Sequence, residues 1–158
     1  MQFMNSWASE DRKILLAFSE KTLEKFMRYR QLRDADCEAG GLLLGSVHGC
    51  HMLITDATVP TRFDKRFRFF FERMESVHRL VASTMWRQSK GLIRYLGEWH
   101  THPQDQPSPS GTDILEWRDL AKKRRDFRPM LAVIVGRDGM HVELMFADGG
   151  RMRLEAIS

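Results

Sequence analysis

Apolar positions along this chain follow two periods, one near 3.6 and one of 2. Ile14-Leu15-Leu16-Ala17-Phe18 is a short apolar run and predicts a buried strand. Ser19 is suited to cap a helix, and Leu23, Phe26, Met27 and Arg30 follow at helical spacing, which predicts a helix over 20–32. Residues 41–47 and 50–59 read as two antiparallel strands joined by a turn at His48-Gly49, and Pro60 ends the second. From 61 to 71, Arg66 and Arg68 alternate with Phe67 and Phe69, a period-two pattern expected of an edge strand. Met74, Val77, Val81, Thr84 and Met85 predict an amphipathic helix over 72–88, closed by Gly91. The branched and aromatic run 92–96 starts a strand continuing to His102. Ile114, Trp117, Leu120 and Ala121 mark a third helix that ends in the cations 122–125, which suit its dipole. Residues 130–135 are almost wholly apolar and predict a central strand, followed by strands at 140–146 and 151–157. Residues 1–12 are polar and mixed and are expected to form a loose N-terminal arm. The order β-α-β-β-α-β-α-β-β-β implies one α/β (α+β) domain over 1–158, a mixed β-sheet flanked by helices.

Composition narrows this picture only a little. The chain has 158 residues, enough for one domain, and no run approaches the ~20 apolar residues that span a bilayer. Its two cysteines, Cys37 and Cys50, form no CxxC pair, so the expected setting is a reducing cytoplasm. Nothing near Cys37 marks it as a nucleophile. The net charge of +4 and pI of about 9.3 suit an acidic partner. Zinc-finger spacing and RNA-recognition aromatics are both missing, which argues against nucleic acid.

The chemistry concentrates in Gly97-Glu98-Trp99-His100-Thr101-His102-Pro103, followed by Ser110 and Asp113. In a strand, residues i and i+2 share a face, so His100 and His102 project together. Pro103 removes a ladder donor, and 103–109 holds three of the five prolines, so it reads as a stiff loop. Ser110 is suited to cap the next helix, and the loop can fold Asp113 back toward the imidazoles. Taken singly, the two histidines fit a structural pair on a strand, and S-x-x-D fits helix capping. Together, two imidazoles and a carboxylate suit a Zn²⁺ with one position left for water. Glu98, two residues before His100, shares its face and is a candidate to orient an imidazole or to act as the base. Arg66 and Arg68 fit either a solvated basic face or a groove wall that grips an extended acidic substrate by strand addition.

These residues carry a family resemblance. H-x-H-P, six residues, S, two residues, D resembles the signature of the JAMM/MPN+ zinc metallopeptidases, and Glu38-Ala39-Gly40-Gly41-Leu42-Leu43-Leu44-Gly45 matches the E-x-x-G-x-L-x-G that the family carries upstream. The resemblance covers nearly the whole chain and is strongest to the small bacterial deconjugases of CBASS anti-phage operons. It implies one zinc per chain on His100, His102 and Asp113, Glu38 as the general base outside the ligand set, and Ser110 as the oxyanion donor. It implies hydrolysis after the C-terminus of a conjugated protein, either a CD-NTase or a ubiquitin-like protein. Two further readings share the pattern: a peptidase that processes a sulfur-carrier protein, and a metal-free MPN scaffold. All ligands of the signature are present, which weighs against the scaffold.

Overall fold

The computed structural model describes residues 3–68 and 70–157, with Phe70 described by its backbone only. Eight strands close into a barrel in the order β1 (Ser6–Ala8), β10 (Arg151–Ala156), β9 (Met140–Met145), β8 (Met130–Val135), β7 (Arg94–Thr101), β3 (Gly40–His48), β4 (His51–Ala57) and β2 (Leu15–Phe18). The β7–β8 and β2–β4 pairs are parallel and the others antiparallel, so the sheet is mixed. Three helices accompany it: α1 (Glu20–Arg28), α2 (Glu75–Gln88) and α3 (Gly111–Lys123). β5 (Lys65–Phe67) and β6 (Phe70–Glu72) form a separate hairpin.

The N-terminal segment departs from the expected loose arm. Ser6–Ala8 pairs with both β2 and β10 and so closes the barrel, and Phe3 and Trp7 are buried in its core. Two open edges would otherwise expose unpaired N–H and C=O groups, and three residues of polar-looking chain suffice to cover them.

Strand β8 shows why a wholly apolar run was needed. Leu131, Val133 and Val135 belong to the barrel core, whereas Met130, Ala132 and Ile134 pack beneath Trp117 and Ala121 of α3. Both faces are covered, so neither tolerates polarity. In β7 the alternation changes phase: Leu96 has no partner in the register with β3, where Leu43 faces Gly97 and Leu44 faces Tyr95. This bulge lets Leu96 and Trp99 both reach the core while Glu98 and His100 face outward. Trp99 fills the space beside Phe26, their rings 5.1 Å apart, and its Nε1–H donates to the Thr58 carbonyl at 2.9 Å.

Two helices differ from the sequence pattern. α1 ends at Arg28 rather than at 32, because Gln31 turns inward to donate to the carbonyls of Asp36 and Arg68 and to accept from Thr101. On α2 the apolar stripe is not the buried face. Val81 is 43% exposed and His78 only 1%. His78 joins Thr58 Oγ1 (2.6 Å) to Asp64 Oδ2 (2.8 Å), and a satisfied polar chain at that position outranks a weak apolar stripe. Among the described residues no helix is long and apolar enough to cross a membrane.

Candidate active site

His100 lies near the end of β7 and His102 one residue beyond it, where its N–H still donates to the Val135 carbonyl at 3.0 Å. The two imidazoles therefore share the outer face of the barrel, with His100 Nε2 3.1 Å from His102 Nε2. The proline loop does not float. Arg137 and Asp138 donate backbone N–H groups to the Gln104 and Asp105 carbonyls, clamping it to the β8–β9 turn. This sets the start of α3. Ser110 Oγ accepts from the Asp113 N–H at 3.1 Å, and Asp113 Oδ2 accepts from the Ser110 N–H at 2.8 Å. S-x-x-D is thus a capping box, and the same geometry aims the carboxylate. Asp113 Oδ1 is 3.3 Å from His100 Nε2, and Oδ2 is 3.3 Å from His102 Nε2. Capping and site-building are one arrangement here, not rival readings.

The donor set fits a zinc ion. Four ligands at 2.0–2.1 Å in a tetrahedron stand about 3.3–3.4 Å apart, close to the spacings just given. Nδ1–H of His102 faces Gln104 Oε1 at 3.1 Å, and that oxygen also accepts from the Ser108 N–H. An acceptor there places the proton on Nδ1 and leaves Nε2 with its lone pair. Burial opposes ionisation of Asp113, but when the imidazoles carry a proton on Nε2 their bonds outweigh it and hold the carboxyl well below the usual range.

Glu38 approaches from the other side. Its carboxylate and the two imidazoles present ligand atoms within 4.8 Å of one another. It stands at the head of β3, where Gly40 and Gly41 let neighbouring chain come close: a Cβ on Gly41 would lie 2.2 Å from the Thr58 carbonyl oxygen. The side chain is 8% exposed and makes no hydrogen bond among the described residues. Burial pushes its carboxyl up to about 8; His102 offsets this in part, while Asp113 and Glu116 add to it.

Three of the candidate residues have partners within the fold. Arg66 donates to the carbonyls of Glu38 (3.1 Å) and Cys37 (3.3 Å), and the Glu38 N–H donates to the Phe67 carbonyl at 2.6 Å. Arg66 therefore braces the Glu38 main chain. Arg68 sits 3.5 Å from Asp34, which is 95% exposed, a pair worth about 0–1 kcal/mol. Phe69, part of the same alternation, lies outside the described residues. Glu98 faces outward with His100 but is bound to Arg73 (2.8 Å) and the Tyr95 hydroxyl (3.2 Å); among the described residues it orients neither imidazole. Burial pushes its carboxyl up to about 7, against the pull of Arg73.

Sequence reading overlooked three neighbours. Glu116 lines the cleft one turn after Asp113, a spacing that puts both on one helix face. Trp117 lies 6.1 Å from the His100 ring and stacks on His141 at 6.3 Å. Gln104, which fixes His102, carried no local signal. Glu38, His100, Asp113, Glu116 and Trp117 line a cleft of about 330 Å³. Arg66→Ala is expected to retain metal and substrate affinity while lowering kcat several-fold, because it frees the main chain that carries Glu38; steady-state kinetics with metal analysis on the same samples check this.

A domain family described as prokaryotic homologs of the JAB domain (Prok-JAB) matches residues 19–148, and the chain belongs to that family. It is 60% identical over 149 residues to a protein of Pseudomonas aeruginosa named CD-NTase/cGAS isopeptidase, covering 94% of each chain. Proteins of the same name from Escherichia coli (41% identity, 69% of this chain and 68% of that one) and Vibrio cholerae (35%, 78% and 77%) also match. The fold is shared with protein DSY2949 from Desulfitobacterium hafniense, solved in solution, with a TM-score of 0.61, 22% identity and coverage of 90% and 91%. Membership of this family makes the chain a hydrolase of the isopeptidase kind.

Proposed function

We propose that this chain is a cytoplasmic, zinc-dependent JAMM-type isopeptidase that releases a CD-NTase from its protein conjugates in a CBASS anti-phage system. The observation that carries the proposal is the triangle of His100, His102 and Asp113, with the Glu38 carboxylate beside it. The relatives' shared name supplies the substrate. His100, His102 and Asp113 would hold one zinc, which when bound supplies a Lewis acid and lowers the pKa of water. Glu38 takes the proton of the attacking water and later delivers it to the departing lysine amine. Its buried, partner-free carboxyl suits both halves of that cycle. Ser110 Oγ accepts from the helix and so keeps its own O–H to donate to the developing oxyanion. The substrate's extended C-terminal tail would run beside the β5–β6 hairpin, with Arg68 as a contact.

Chelation is the direct test. Dialysis against a chelator should abolish cleavage of a lysine-linked conjugate, and one equivalent of zinc should restore it. Asp113→Asn should lower zinc content while leaving the far-ultraviolet circular dichroism unchanged. Full cleavage by metal-free protein would rule out the proposal.

A further inference from the structure

A second cavity, about 940 Å³, opens between α2, β7 and the end of α3. Its volume is typical of small-molecule sites. The cleft described above adjoins it and shares Arg73, Glu75, Glu98, Leu120 and Lys123 with it, but most of its wall has no part in the reaction. Leu42, Tyr95 and Leu120 contribute an apolar lining, and Trp86 stands half exposed in the wall. Around them stand Arg79, Arg87, Arg94, Arg124 and Arg125.

The carboxylates in the wall do not balance these cations. Glu75 pairs with Arg79, Glu98 with Arg73, and Asp126 with Arg124. The side chains of Arg87, Arg125 and Lys123 hold no hydrogen bond or ion pair among the described residues. Arg124 is the telling group. Its side chain is only 6% exposed; Nε and Nη2 bind Asp126, and Nη2 also donates to the Tyr95 carbonyl at 3.3 Å. The guanidinium lies over the Tyr95 ring, 5.3 Å from its centroid, and its Nη1 is buried with no hydrogen-bond partner among the described residues. A buried donor on a charged group is expensive to leave unpaired, and native structures seldom do so without a reason. An anion in the cavity would provide the missing acceptor.

We propose that this cavity binds a nucleotide, with its phosphate among Arg124, Arg94 and Arg125 and its base against Trp86. One guanidinium fork satisfies a carboxylate, whereas a phosphate carries more charge and more acceptor oxygens and draws several. The apolar and aromatic lining would be wasted on a bare anion but suits a flat base, which stacks on an indole. The assignment is independent of the metal reaction.

The test uses the zinc-loaded protein, titrated at physiological salt with AMP, inorganic phosphate and adenosine, followed by calorimetry and tryptophan fluorescence. AMP should bind with a dissociation constant below about 1 mM and more tightly than either fragment. Trp86→Phe should remove most of the fluorescence change. Arg124→Lys keeps the charge but loses the fork, and it should weaken AMP at least ~10-fold. Arg87→Glu and Arg125→Glu lie on the exposed rim, fold irrespective of the buried site, and should weaken AMP similarly. No AMP binding up to about 5 mM overturns the assignment. So does phosphate binding as tightly as AMP, AMP binding indifferent to the rim substitutions, or a glutamate-rich peptide binding where AMP does not.

Discussion

Glu38→Gln should keep its zinc and its affinity for the conjugate, yet cleave at least ~10²-fold more slowly in a single turnover. The amide has nearly the shape of the carboxyl but can neither accept the water's proton nor return it. Glu38 is suited to this because it is close to the imidazoles, buried, and unencumbered by any side-chain partner. Burial pushes its carboxyl up to about 8. A general base works only when deprotonated, so cleavage by the zinc-loaded protein should fall off in acid; the dication nearby lowers this pKa, which places the acid limb below about pH 8. Glu38→Gln should erase that limb. Glu98→Gln is the informative comparison. Glu98 serves Arg73 and Tyr95, so its loss should slow cleavage no more than about 10-fold, with metal retained. If Glu98→Gln were dead with zinc in place while Glu38→Gln cleaved normally, the base would be the other carboxylate.

The second large effect is expected on stability. Asp64→Ala should cost about 3–5 kcal/mol, a drop of roughly 10 °C in Tm for a chain of this length. The Asp64 side chain is fully buried against His78, and it also accepts from the Thr61 and Met74 N–H groups. Removing it leaves Nε2 of the buried imidazole and two backbone donors without their Asp64 partner, and it loosens the segment leading to the β5–β6 hairpin. Burial opposes ionisation of Asp64, but the Thr61 and His78 bonds outweigh it and hold its carboxyl below the usual range. A depressed pKa stabilises the fold above the unfolded value, and that contribution is lost as pH falls through the folded one. Wild-type protein should therefore lose this increment in acid below about pH 4, whereas Asp64→Ala should show a shallower acid limb. Thermal melts across a pH series check both claims. A Tm within about 2 °C of wild type would mean that the pair contributes nothing.

Some of this protein was determined by local pattern. The period-two placement of His100 and His102, the S-x-x-D box that turns Asp113 toward them, and the unbroken apolar run of β8 all follow from interactions a few residues long, so they are legible in the chain. The family signature extends that legibility to Glu38, whose place beside the imidazoles depends on the β3–β7 pairing. What the chain did not disclose depends on partners far away in sequence. Ser6–Ala8 is a strand only because β2 and β10 leave edges to be covered. His78 is the buried face of α2 only because Asp64 and Thr58 meet it there. The partners of Arg66 and Glu98, main-chain carbonyls in one case and Arg73 with Tyr95 in the other, left no local sign in the chain. A charged or polar side chain taken out of water must find a partner wherever the fold supplies one. Hydrophobic period fixes the inward face where apolar residues fill it, as in β8; tertiary structure alone decides which polar groups meet, and on α2 that meeting overrode the period.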